Sequence, residues 1–79
     1  MAITGAQIRA GRAFAKLSAN ELASRARVGR TTIARAEVID GIPPTTVANL
    51  FAIKAVLEKA GVTFGADGSV NYHQPMVNS

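Results

Sequence analysis

Residues 18–37 read SANELASRARVGRTTIARAE, and the punctuation of this stretch decides the fold. Ser18 followed three residues later by Glu21, directly before Leu22 and Ala23, is a capping box. It starts a helix at about Ala19 that lasts roughly two turns, to Ala26. Arg27-Val28-Gly29 forms a turn, and a further helix runs from Arg30 to Glu37. Gly29 is its N-cap, tolerated there although it brings no side-chain oxygen.

Projected at about 100° per residue, Arg30, Thr31, Ala34 and Arg35 fall within one arc of about 140°. Ile33 and Ala36 lie opposite, and Thr32 sits at the boundary. One face is built to pack and the other to meet something polar. Leu22, Ala23, Ala26 and Val28 complete the packed seam, with Ala23 small enough for Ile33 to approach. Arginine can bond guanine O6 and N7 in bidentate fashion, and threonine can hydrogen-bond a base or touch a thymine methyl, so the polar face suits the DNA major groove. The first turn of the helix from Ala19, around Ser18 to Asn20, offers backbone N–H groups to a phosphate.

Outward from this unit, Thr4 and Gln7 form another capping box, which predicts a first helix from about Gly5 to Lys16. Its inward face is Ile8, Gly11, Ala15 and Phe14, with Gly11 marking the close approach of another helix. Asp40-Gly41-Ile42-Pro43-Pro44 breaks the chain. Thr45 or Thr46 then caps a longer helix to Ala60, closed by Gly61, with Val47, Leu50, Ile53, Val56 and Leu57 at helical spacing. Beyond Gly61 the period becomes two: Val62 and Phe64, turn residues Gly65-Ala66-Asp67-Gly68, then Val70 and Tyr72 predict a β-hairpin at about 62–72. Residues 73–79 are expected to be a flexible tail. The fold class is mainly α, four helices with a short C-terminal hairpin, in one domain over residues 1–72.

The 79 residues, 48% of them hydrophobic, suffice for one modest core, and burial in a dimer would add stability. The net charge of +4 conceals an asymmetry. Residues 1–36 carry seven basic groups against the single acid Glu21, whereas residues 37–79 carry Lys54 and Lys59 against Glu37, Asp40, Glu58 and Asp67. A polyanion bound by the first half fits this field, and a merely solvated basic surface is the alternative. Without cysteine there are neither disulfides nor thiolate metal sites, which suits a reducing cytoplasm. No apolar run approaches the ~18 residues of a membrane span. His73 stands alone, the acids are scattered, and Gly29-Arg30-Thr31-Thr32 lacks the spacing and lysine of a phosphate-binding loop. Neither catalysis, a cofactor nor a metal is expected.

Residues 17–37, LSANELASRARVGRTTIARAE, resemble the helix-turn-helix of the xenobiotic-response-element family, which includes the phage Cro and lambda-type repressors. The family's usual run is close to LSQEELAERAGVSRATIARIE. The linker and following helix, GIPPTTVANLFAIKAVLEKAGVTF, are similar to short bacterial members, so the likeness covers residues 4–64. It implies a lambda-repressor-like domain acting as a prokaryotic transcriptional regulator, a repressor by default, in the cytoplasm and on the nucleoid. On that reading Arg30, Thr31 and Arg35 read bases of double-stranded DNA, while Arg12, Ser18, Asn20, Arg27 and Thr32 position phosphates. The resemblance also implies an Arg12–Glu37 salt bridge, the alternative being two independent surface charges. The chain departs from the family at Ala19 for glutamine, Arg27 for the turn glycine, and Gly29 for a serine or threonine cap.

Val47, Phe51 and Ala55 form an apolar stripe with two readings. Phe51 either wraps onto Phe64 or Tyr72 as part of the core, or the stripe is a two-fold contact in a homodimer. The hairpin edge could also pair between subunits. A second class of function, an antitoxin-like interaction module, would use this stripe and the C-terminal segment to hold a toxin or regulator protein.

Overall fold

In the computed structural model, which describes residues 2–74, the capping residues stand where the helices begin. Helix α1 is Gly5–Ala15, α2 Ala19–Ala26, α3 Arg30–Glu37 and α4 Val47–Lys59; strands β1, Val62–Phe64, and β2, Val70–Tyr72, follow. The expected mainly α fold of four helices and a C-terminal antiparallel hairpin is present. Both capping boxes are complete, at Thr4 with Gln7 and at Ser18 with Glu21. Thr46, the second of the two candidates, caps α4 by accepting from the Asn49 N–H at 3.1 Å. Gly61, with φ 105°, ends that helix. No helix among the described residues is long and apolar enough to cross a membrane.

The core collects Ile3, Ile8, Leu17, Leu22, Ala23, Ala26, Ile33, Ala36, Leu50, Ile53, Leu57 and Val62. Ala23 and Ile33, the pair expected to let α2 and α3 cross closely, are both buried in it. The hairpin pairs Val62 with Tyr72 and Phe64 with Val70, and lies across α1. That placement corrects the reading of Gly11. Its close neighbour is the hairpin and not another helix: a Cβ there would stand 3.1 Å from Val62 Cγ1 and 3.2 Å from Phe64 Cε1.

Other corrections have equally local causes. Helix α1 stops at Ala15, and Lys16 turns into the left-handed region at φ 58°, so it ends the helix instead of continuing it. Phe14 faces outward, 47% exposed, and its ring stacks on Tyr72 with centroids 6.0 Å apart. Ala15 is only half-buried, packed against the edge of the core. Because Phe14 occupies Tyr72, the hairpin aromatics are covered from α1. Phe51 remains 55% exposed and Val47 67% exposed, so neither joins the core. The tail was expected from residue 73, yet the His73 N–H donates to the Gly61 carbonyl at 2.8 Å and extends the hairpin by one bond. The rest of that tail, residues 75–79, lies outside the described residues.

Gln7 carries more than its cap. It is 2% exposed, and its Nε2 donates to the carbonyls of Gly65 (2.9 Å) and Ser69 (3.2 Å) while Oε1 accepts from the Thr4 N–H at 2.9 Å. One amide thus joins the start of α1 to both sides of the hairpin turn, with each buried dipole satisfied.

Gly5 marks where α1 meets the end of α3. Its N–H donates to the Gly41 carbonyl at 2.8 Å. A Cβ at Gly5 would penetrate the carbonyl oxygens of Ile39 and Ala36, which are backbone atoms with no rotamer to change. Gly5→Ala is therefore expected to force α1 away from α3 and cost about 3 kcal/mol. In thermal unfolding that corresponds to a fall of more than ~10 °C; an unchanged midpoint would mean that the two helices tolerate separation.

Candidate nucleic-acid interface

Helices α2 and α3 present a basic surface because the turn between them is tight and their apolar sides are consumed by the core. Arg27, the C-cap of α2, adopts φ 57° and ψ 44°, where its N–H donates to the carbonyls of Ala23 and Ser24. A side chain in this left-handed region costs about 1 kcal/mol relative to glycine. The geometry required at the turn is thus met by an arginine whose side chain is exposed. Gly29 caps α3 without a side-chain bond, as expected from its lack of one.

On α3 the division of faces follows the projection. Arg30, Thr31, Ala34 and Arg35 are exposed, Ile33 and Ala36 are buried, and Thr32 is half-buried. Thr32 and Arg35 border Pro43, Pro44 and Thr45 of the linker, so the linker flanks the exposed face on one side. Arg30 Nη1 stands 3.5 Å from Asn20 Oδ1, a long contact that brings the first turns of α2 and α3 together. Ser18, Asn20, Arg27, Arg30, Thr31 and Arg35 are all exposed, and that contact sets the phosphate-facing candidate Asn20 beside the base-facing candidate Arg30.

The backbone donors at that head are fewer than the sequence suggests. The Ser18 N–H donates to Glu21 Oε1 and the Glu21 N–H to Ser18 Oγ, both at 3.0 Å. The amides of Ala19 and Asn20 remain, having no carbonyl within their own helix to bond. The Glu21 carboxyl is held below the ordinary carboxylate range, first by the Ser18 N–H and then by its hydroxyl. With a lowered folded-state pKa, the cap's contribution is present at neutral pH and is lost as pH falls through that lowered value.

Arg12 differs from the other phosphate candidates. Its Nε and Nη2 hold both oxygens of Glu37, at 2.7 and 2.8 Å, and Nη1 donates to the Leu17 carbonyl at 3.1 Å. The side chains are 26% and 11% exposed, and the guanidinium pKa is raised, chiefly by the hydrogen bond to Glu37. The implied salt bridge is thus present as a bidentate, partly buried pair. Beside it Arg9 donates to the Glu37 carbonyl and pairs with Asp40 at 3.0 Å. Sequence reasoning missed Arg9, because nothing in its local pattern indicates a partner 31 residues away.

These pairs leave an uneven field. Glu37 and Asp40 are taken by cations of α1, and Glu58 lies 3.8 Å from Lys54 within α4. Among the described residues, Arg25, Arg27, Arg30 and Arg35 form no salt bridge, so the positive charge of the α2–α3 unit faces solvent. The third candidate group, Val47, Phe51 and Ala55, is exposed along α4. Val47 and Phe51 border a hollow of about 100 Å³ with Ala2, Ile3, Leu50 and Lys54. No known family's sequence profile matches the chain, and no curated protein matches it.

A double-mutant cycle over Arg12→Ala and Glu37→Ala, read by urea unfolding, should give a coupling of about 1–2 kcal/mol, the range for contacting partners. A coupling indistinguishable from zero would reduce the pair to two surface charges.

Proposed function

We propose that the chain is a sequence-specific DNA-binding transcriptional regulator of the helix-turn-helix type that seats α3 in the major groove. One observation carries this reading. An eight-residue helix, packed on one side, exposes Arg30, Thr31 and Arg35 together on the other, without salt-bridge partners among the described residues. Arg30 and Arg35 offer bidentate donors to guanine, and Thr31 a hydroxyl and a methyl to the base between them. Ser18, Asn20, Arg27 and Thr32 fix the register on the phosphates, with the Ala19 and Asn20 amides. Arg12 adds its remaining N–H groups to that set while its carboxylate partner holds it in place. The resemblance of residues 17–37 to the repressor helix-turn-helix supports the same reading, and repression by occupying a promoter is its default outcome.

A second copy completes the reader. Val47, Phe51 and Ala55 recur every four residues on the exposed side of α4. A two-fold axis through Phe51 would set Val47 of one copy against the small Ala55 of the other and bring the Phe51 rings together, with no charge inside the stripe. Two α3 helices related in this way would read a palindrome with half-sites about one helical turn apart. The same exposed stripe supports the alternative of an antitoxin-like module that binds a different protein.

Selection of bound duplexes from a random DNA pool tests this reading. A palindromic motif supports the regulator and its dimer; an isolated half-site assigns the α4 stripe to another partner; no enrichment contradicts sequence-specific reading. On the selected duplex, Arg35→Ala should cost about 1–3 kcal/mol and relax preference at one base position. Equal loss on selected and random DNA would remove Arg35 from base reading.

A further inference from the structure

Among the described residues Val38 is the most exposed of the large apolar side chains, at 80%, ahead of Val47 at 67% and Ile42 at 56%. It follows the last residue of α3 with φ −81° and ψ −7°, still in the right-handed region, so the helical progression runs through it. Advancing about 100° per residue from Arg30, Ala34 falls at about 40°, Val38 at about 80°, Thr31 at about 100° and Arg35 at about 140°. Val38 therefore stands in the middle of the arc that Arg30 and Arg35 bound, one turn beyond the exposed Ala34. The adjoining backbone is anchored: Glu37 is gripped by Arg12, its carbonyl accepts from Arg9, and the Ile39 N–H donates to the Ala36 carbonyl.

A lone exposed valine is ordinary on a protein surface. The surroundings of this one narrow what it can meet. Val38 shares its face with the exposed Arg30, Thr31 and Arg35, the side chains offered to base edges. In the major groove the only apolar group on a base edge is the C5-methyl of thymine. Ala34 and Val38 are separated by about 6 Å along the helix axis, close to two base-pair steps of about 3.4 Å. The side chain is β-branched, so it offers its methyls with little rotamer freedom to lose.

We propose that Val38, with Ala34, reads thymine C5-methyl groups on the base edges met by the exposed face of α3, Ala34 between Arg30 and Arg35 and Val38 about 4.5 Å beyond Arg35 along the helix axis. This inference rests on the DNA-reading role of α3 and adds to it a hydrophobic component of specificity. The half-site accordingly contains thymine, recognised by its methyl group and not through its hydrogen-bonding edge.

Deoxyuridine removes that methyl while keeping base pairing and every groove donor and acceptor. On the duplex recovered by selection, single thymine-to-deoxyuridine replacements should lower wild-type affinity about threefold to tenfold at one or two positions, the value of one buried methyl group. Val38→Ala should bind the thymine duplex more weakly by a similar factor and be indifferent to deoxyuridine at one of those positions. Its melting temperature should stay at the wild-type value, since the side chain is exposed. The proposal is overturned if Val38→Ala keeps the full wild-type sensitivity at every position, or weakens binding equally on thymine and deoxyuridine duplexes. Failure of the wild-type protein to enrich any sequence would overturn the base-reading role of α3 as well; an enriched sequence insensitive to deoxyuridine would overturn the role of Val38 alone.

Discussion

The bidentate pair between Arg12 and Glu37 is the constraint on which the presentation of α3 depends. A helix of eight residues is too short to be stable alone. Its apolar side supplies little beyond Ile33 and Ala36, so its orientation must be fixed from elsewhere. Helix α1 does this at the C-terminal end of α3. Arg12 grips the Glu37 carboxylate, Arg9 bonds the Glu37 carbonyl, and Gly5 admits the carbonyls of Ala36 and Ile39 at a distance no side chain would allow. At the other end the Arg27 turn fixes the start of α3 against α2. A reading surface needs this rigidity, because a hydrogen bond to a base edge fails within a fraction of an ångström.

The same pairs shape the electrostatics. Glu37 and Asp40, the acids nearest the end of α3, are neutralised by arginines of α1, which leaves the charges of α2 and α3 directed outward. Only Glu21 opposes them, and one of its oxygens is engaged by the Ser18 N–H. Arg27 accepts a strained backbone where glycine would be relaxed. A cation at that position costs stability in the free protein and leaves an exposed charge at the turn.

Much of the architecture was legible because its signals are local. Capping boxes act over three residues, the double proline breaks the chain at a point, and the change from helical to alternating period after Gly61 needs only a short window. The exposed arc of α3 followed from angular projection alone. What escaped were contacts between residues far apart in sequence. Gln7 reads as a cap residue, and nothing nearby announces that its amide also holds a turn 58 and 62 residues away. Gly11 signals a close approach without saying by what, and the hairpin takes that place. In the sequence Phe51 reads as covering Phe64 or Tyr72, or as a dimer contact; the hairpin's position across α1 gives Tyr72 to Phe14 and leaves Phe51 exposed. The Arg12–Glu37 pair was reachable only through the resemblance, since 25 residues separate the partners.

The claim that α2 and α3 together form the nucleic-acid interface is tested most directly by nuclear magnetic resonance of the ¹⁵N-labelled protein titrated with the selected duplex. The amides of Ser18 to Glu21 and Arg27 to Arg35 should shift, and the Arg30 and Arg35 side-chain resonances with them, while those of the hairpin at Val62 to Phe64 should stay in place. Shifts centred on Val47 to Ala55 with α3 unmoved, or no shifts at all, would contradict it.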